Sequence, residues 1–433
     1  MASMRRLLRA RLWTRSLSSI NNGLSAIASK ECLLCGLHQQ VEPQQRHSFS
    51  TMPAASPSSS TNSNYIPGRA DASGTAHYAQ RFASQTAVGH FRTLKATPQV
   101  GDLIVSSLGH GTYLGSDSDS EDREYMEAVT RSLTLGINFI DCASNFRNMR
   151  SEVAVGACLT RAIKQKLIDR NEVIVCTKGG FLSFDFREDI EPRTYIDETY
   201  VKTGLFQLNE FVGGCHCLSG PFLKNQLELS RRNFNLDTID IYFVHNPEIQ
   251  LNVVPRQTVL SRIKNAFAAL EECVQAGKIT MYGVASWNAF RTNSSAKLHL
   301  SLEELVYFAK EVGGENHHFK VIQLPFNLKL QDAATTPTQT VRGKRMPALH
   351  AAHHLGIQVI GTAAINQANF MNCFNPEVRA RFPEIGERRT DAQCALQFVR
   401  TTPGLTLGVV GMRNILHVEE NCALFRYPTS PRQ

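Results

Sequence analysis

The chain has 433 residues, 42% hydrophobic, 19% charged and 8% aromatic, a globular composition long enough for one large domain or two ordinary ones. The net charge of +8 is concentrated at the start, where residues 1–50 hold seven basic and two acidic residues, leaving about +3 for the rest. So near-neutral a body gives no electrostatic case for nucleic acid, and no run of eighteen apolar residues stands free of charge as a membrane-spanning helix requires.

From Met1 to Lys30 there is no acid, and five arginines fall in the first fifteen positions. That composition predicts an organelle transit peptide over 1–50, mitochondrial (matrix) with a plastid address as the alternative. The RHSFS run at 46–50 offers a processing region. Residues 51–94 read as a low-complexity linker and lead-in, and the Ser/Pro/Asn-rich stretch 52–64 is expected to be disordered. Cys32 and Cys35 have no second pair at metal spacing, and eleven cysteines without a framework suggest reduced thiols.

From residue 95 to 425, short apolar runs alternate with amphipathic stretches. The strand candidates are Leu103–Leu108, Ile137–Asp141, Val173–Lys178, Thr238–His245, Thr280–Ala285, Lys320–Leu324, Gln358–Ile360 and Leu405–Val410. Most are continuously apolar, as expected of parallel strands buried on both faces. Between them, Tyr125, Val129 and Ser132/Leu133 share a helical face, as do Val155, Leu159 and Ala162/Ile163. Ile263, Phe267, Leu270 and Val274 form a third such face, ended by Gly277. Eight strand–helix alternations predict a single-domain α/β fold, a (β/α)8 TIM barrel, with a doubly wound sheet as the alternative. No third glycine follows Gly109 and Gly111 at a helix start, so the dinucleotide fingerprint is absent. Residues 182–218 read as a substrate-side lid or a surface insertion, 329–348 as a polar loop, and 426–433 as a tail.

Three ionisable residues end three successive strands: Asp141, Lys178 and His245. In a parallel barrel such ends meet around one rim, making a proton-handling site with a fixed positive charge.

At these residues the chain resembles the aldo-keto reductases, which reduce carbonyls with NADPH on a (β/α)8 barrel. The likeness runs through LGHGTYLG (108–115), FIDCASNFRNMRSE (139–152), IVCTKGG (174–180), LDTIDIYFVHNPE (236–248), QAGKITMYGVASW (275–287) and GVVGMRNILHVEEN (408–421). HNPE and the long third loop resemble a branch with many bacterial members.

The resemblance implies an Asp–Tyr–Lys–His tetrad, matched by Asp141, Lys178 and His245. The Tyr position falls on Phe146, which has the shape and no proton to give. Tyr113, or His245 with a water, is a substitute donor. For the cofactor NADP (NADPH), the resemblance implies contacts from Thr112, Asp141, Ser286, Gln323, Gly411, Arg413, Asn414, Glu420 and Asn421, with Arg413 gripping the 2′-phosphate. Ala285 and Ser286 stand where relatives carry a Ser-Asn pair against the nicotinamide. Cys215-His216-Cys217 is read as part of the substrate side, and no metal site is expected. The implied activity is an NADP(H)-dependent oxidoreductase acting on a small carbonyl or quinone-like compound. The alternatives are a nucleotide-binding pseudoenzyme, acting as a sensor or subunit of a mitochondrial assembly, and a purely structural barrel.

Overall fold

The computed structural model describes residues 65–187, 190–369, 374–386 and 389–429. The expected transit peptide, its processing region, the 52–64 stretch and the last four residues of the tail lie outside the described residues.

In chain order the strands are β1 (Phe91–Leu94), β2 (Leu103–Ser106), β3 (Leu108–Gly111), β4 (Phe139–Asp141), β5 (Ile174–Gly179) and β6 (Ile239–His245). They continue with β7 (Ile279–Ala285), β8 (Phe319–Pro325), β9 (Gln339–Val341), β10 (Lys344–Met346), β11 (Gln358–Thr362) and β12 (Leu407–Gly411). Strands β3 to β8, β11 and β12 close into one parallel barrel, each beside its neighbour in sequence, with β12 returning to β3. The doubly wound alternative is thereby removed.

The first strand expected from sequence, Leu103–Leu108, is divided in two. Its main part, β2, pairs antiparallel with β1 outside the barrel, and the first barrel strand is Leu108–Gly111. An apolar run marks a buried strand without saying which sheet receives it; here Ser106 and Ser107 break the run between the two.

The period-2 alternation of side chains sorts every barrel strand into two rows. Phe139, Ile174, Cys176, Ile241, Phe243, Met281, Val321, Leu407 and Val409 face inward into one apolar cluster. Leu94, Val100, Leu103 and Val105 of the β1–β2 hairpin join that cluster and plug the barrel floor. Ile140, Val175, Tyr242, Val244, Ile322 and Val410 face outward against the helices. Each fully buried Leu, Ile or Phe contributes roughly 1.5–3 kcal/mol to this packing. The three helical faces read from spacing are the buried faces of helices Asp119–Thr134, Arg150–Lys164 and Arg256–Gln275.

Two stretches are more ordered than their composition suggested. Within the lead-in, Asp71 caps helix Ala72–Arg81, and the fully buried Tyr78 places its hydroxyl 2.7 Å from Leu133 O. Asp240 accepts the Ala70 amide at 2.7 Å and the Arg170 guanidinium at 2.8 Å, binding this segment to the barrel floor. The polar stretch 329–348 holds the antiparallel pair β9–β10, turned by Arg342 and Gly343 with φ of 49° and 77°. Two consecutive positive φ values are what a tight hairpin turn demands.

Candidate active site

The inward rows explain how the chemistry converges. Asp141 follows Phe139 on β4, Lys178 follows Ile174 and Cys176 on β5, His245 follows Ile241 and Phe243 on β6, and Gln323 follows Val321 on β8. Each sits two residues beyond an apolar inward neighbour, at the C-terminal end of its strand. All four therefore reach the same end of the barrel, the end where barrel enzymes bind their substrates.

There, Lys178 Nζ donates to Asp141 Oδ1 at 2.7 Å and to the Cys142 carbonyl at 2.6 Å. Gln323 Nε2 donates to the same carboxylate oxygen at 2.8 Å, and Cys176 Sγ approaches it at 3.2 Å. Lys178 and Asp141 are only 2% and 4% exposed, so this is a desolvated ion pair whose charges interact more strongly than in water. Burial pushes the Cys176 thiol well above its usual range.

Phe146 forms the wall above the amine, its ring centroid 4.9 Å from Lys178 Nζ. Tyr113 stands edge-on to Phe146 with ring centroids 4.9 Å apart; Phe146 lies 6.2 Å from His245, and Phe181 packs at 4.9 Å against the other side of that imidazole. Both candidate donors named from sequence, Tyr113 and His245, thus border the Phe146 ring. Burial, and then the Lys178 charge, hold His245 well below its ordinary pKa, so it is neutral at pH 7. Its Nδ1 is buried and has no hydrogen-bond partner among the described residues.

His216 acts from behind. Its Nε2 lies 2.7 Å from the His245 carbonyl, its Nδ1 3.1 Å from Gln250 Nε2, and Gln250 in turn accepts from Arg262 at 2.9 Å. Gly180 permits the approach: a Cβ there would lie 2.9 Å from His216 Nε2, at a backbone φ of +134°. Of the Cys215-His216-Cys217 stretch, His216 is the residue that bonds the end of β6. Elsewhere in the described part of 182–218, Phe206 stacks on Tyr200 at 5.5 Å and on Phe211 at 5.1 Å.

The residues matched to the cofactor are placed unevenly. Gln323 lines the barrel mouth, bonded to Asp141. The Thr112 hydroxyl donates to the Asp141 carbonyl at 3.0 Å, tying β3 to β4. The Ser286 hydroxyl donates to Glu248 Oε1 at 2.7 Å and accepts from the Ala289 amide at 2.8 Å, so its proton is committed within the loop. Gly411 is exposed at the end of β12, where an added Cβ would meet nothing nearer than Gly111 O at 4.0 Å. Asn414 caps helix Ile415–Cys422 by accepting from the Leu416 amide at 2.8 Å. Glu420 bonds Thr390, and Asn421 is buried. Arg413, at that helix start, ion-pairs with Glu121 and, at 2.9 Å, with Glu124.

Sequence reasoning passed over three of these partners. Glu248 is fully buried, accepts also from the Asn288 amide at 3.0 Å, and has its pKa raised by burial. The HNPE motif was its signal, a carboxylate three residues past a strand end. Glu121 and Glu124 gave no signal, because they read as the solvated first turn of a helix.

Residues 107–307, from the start of the barrel into helix Leu302–Gly313, match the model of the aldo/keto reductase family. Over this stretch the chain is similar to the aldo/keto reductases. β8, β11 and β12, beyond it, complete the barrel. The chain is 23% identical over 205 residues to the aldo-keto reductase yakc [NADP(+)] of Schizosaccharomyces pombe, covering 47% of this chain and 49% of the relative. It is 26% identical over 193 residues to the NADH-specific methylglyoxal reductase of Escherichia coli, covering 43% and 50%. The chain thus spans about half the length of the curated relatives it matches. Among solved structures, the glycerol dehydrogenase of Gluconobacter oxydans superposes with a TM-score of 0.53 at 17% identity, covering 79% of this chain and 92% of that one. An aldo-keto reductase of Bacillus halodurans does so with 0.52 at 20%, covering 78% and 91%. At such identities the aldo/keto reductase likeness of these structures speaks for the barrel fold.

Proposed function

We propose that this chain is an NADP(H)-dependent oxidoreductase acting on a small carbonyl or quinone-like compound. The observation that carries the proposal is the desolvated Asp141–Lys178–Gln323 cluster opening beside Phe146, Tyr113 and His245. A charge pair buried at the substrate end of a barrel is costly as scaffolding and useful as a preorganised electrostatic site. Of the two curated relatives, one is named for NADP(+) and the other as NADH-specific, which supports a pyridine nucleotide. The residues present fit such a group: Gln323 at the mouth, open space over Gly411, and a helix N-terminus carrying Arg413.

NADPH, when bound, supplies a hydride to the acceptor carbon. Lys178 holds an ammonium where the oxyanion grows, and Asp141 keeps that amine in place. Neutral His245 orients the acceptor oxygen by hydrogen bonding. Phe146 shapes the pocket and closes it to water without giving a proton. The proton for the acceptor oxygen comes from Tyr113 or from a water held by His245. Quinone-like acceptors, whose reduced oxygens are weaker bases, depend least on that step.

Trp287, beside the end of β7 and 37% exposed, is a built-in probe. The test is to titrate purified protein with NADPH while following its fluorescence, then to assay aldehyde and quinone reduction in the native chain and in Phe146→Tyr. Binding with measurable native turnover is expected, and failure to bind NADPH would overturn the proposal. Phe146 favours one other reading, a nucleotide-binding pseudoenzyme serving as a sensor or subunit; binding with turnover only after Phe146→Tyr would select it. The acid-free, arginine-rich start supports a mitochondrial location, tested by whether residues 1–50 carry a fluorescent protein into mitochondria.

A further inference from the structure

The guanidinium matched to the 2′-phosphate grip is already paired. Arg413 Nη1 meets Glu121 Oε1 and Arg413 Nε meets Glu124 Oε2 at 2.9 Å, both carboxylates coming from the first turns of helix Asp119–Thr134. Glu121 is held there from its other side. Its Oε2 accepts the Ser116 amide and lies 4.0 Å from the buried Arg147 guanidinium. Arg147 is itself fixed by Ser116 O at 2.9 Å and Asp122 at 2.6 Å, in a turn where Arg147, Asn148 and Met149 all have positive φ. The Glu121 carboxylate is thus set by the loop after β3 rather than by a free rotamer. A dianionic phosphate approaching Arg413 meets two negative charges around the one positive charge, whereas a ribose 2′-hydroxyl meets carboxylates that can accept its hydrogen bond.

We infer that Glu121 and Glu124 set the cofactor selectivity of this barrel by competing with the 2′-phosphate for Arg413, so that NADH is accepted nearly as well as NADPH. The inference rests on the dinucleotide-binding reading above. The competing carboxylates come from helix Asp119–Thr134, which also pairs with helix Ile415–Cys422 through Arg131 and Glu419.

The test measures dissociation constants for NADPH and NADH by Trp287 fluorescence, with nucleotide-induced thermal shifts as a second readout. It uses the native chain, Glu124→Gln, Glu121→Gln/Glu124→Gln and Arg413→Gln. Glu124→Gln removes a half-exposed carboxylate and keeps the anchored Glu121, so it guards against loss of fold in the double variant. The native constants are expected within roughly threefold of each other, and the double variant is expected to bind NADPH about tenfold tighter with NADH unchanged within about twofold. Glu124→Gln should give part of that gain, and Arg413→Gln should abolish the gain when combined with either substitution. A strong native preference for NADPH, or a parallel change for both nucleotides, would overturn the inference while leaving the proposed function standing. Binding of neither nucleotide to any variant would overturn both.

Discussion

Gln323 and Asp141 meet across the barrel mouth, the amide of one donating at 2.8 Å to the carboxylate oxygen that also receives Lys178. They belong to β8 and β4, strands that do not touch each other in the barrel. Two donors from different strands converge on that one oxygen, so the carboxylate is held beside the Lys178 amine.

Removing that charge should be costly twice. Lys178→Met leaves Asp141 buried with only neutral partners, and breaking a buried pair typically costs about 3–5 kcal/mol of stability. Turnover should fall by at least about a hundredfold, because the oxyanion loses its preorganised charge. Urea unfolding and initial rates measure the two effects separately; unchanged turnover with full folding would remove Lys178 from the chemistry.

Phe146→Tyr places a phenol beside the amine that now lies 4.9 Å from the ring. A neighbouring ammonium lowers the pKa of such a phenol and readies its proton. Aldehyde reduction should rise by a factor of roughly 10² to 10⁴, with a smaller gain for quinones. The alkaline limb of the rate–pH profile should move to lower pH than in the native chain, as the phenol beside the ammonium loses its proton first. An equal gain for both substrate classes would argue for a packing effect.

His216 makes stability pH-dependent. Burial lowers its pKa from 6.5 to about 4, so the folded chain resists a proton that the unfolded chain takes up near 6.5. Its contribution is complete above pH 6.5, is lost as pH falls toward 4, and is constant below that. For a fully buried group the loss is of the order of 3 kcal/mol. Buried His90 and His110, both lowered to about 3, extend the decline further. Unfolding midpoints at pH 7 and pH 4.5 should therefore converge partly in His216→Gln, and an unaltered difference would exclude His216 as a contributor.

Gly180→Ala should misplace His245. The new Cβ would meet His216 Nε2 at 2.9 Å and His245 O at 3.1 Å, at a φ of +134° that alanine rarely adopts. A stability loss of about 1–3 kcal/mol is expected. KM for the acceptor should rise while nucleotide affinity stays unchanged, which steady-state kinetics and fluorescence titration resolve. A Gly180→Ala chain with native kinetics would mean that His216 does not position β6.

What the amino-acid order determined by itself was the alternation of strands and helices and the residues that end each strand. Apolar periodicity is local, so the three helical faces and seven of the eight barrel strands were readable from spacing, and Asp141, Lys178 and His245 announced themselves as ionisable residues closing apolar runs. Pairing decided the rest. Ser106 and Ser107 divide one apolar run between a floor hairpin and the first barrel strand, and the same Ser286 hydroxyl that reads as a ligand contact is spent on Glu248. Arg413 carries the same motif whether it is open to a phosphate or held by carboxylates nearly three hundred residues earlier. Only the closure of β12 onto β3 brings its helix against Glu121 and Glu124. A side chain's identity is written in the chain, but the charge it meets depends on which distant element the fold sets beside it.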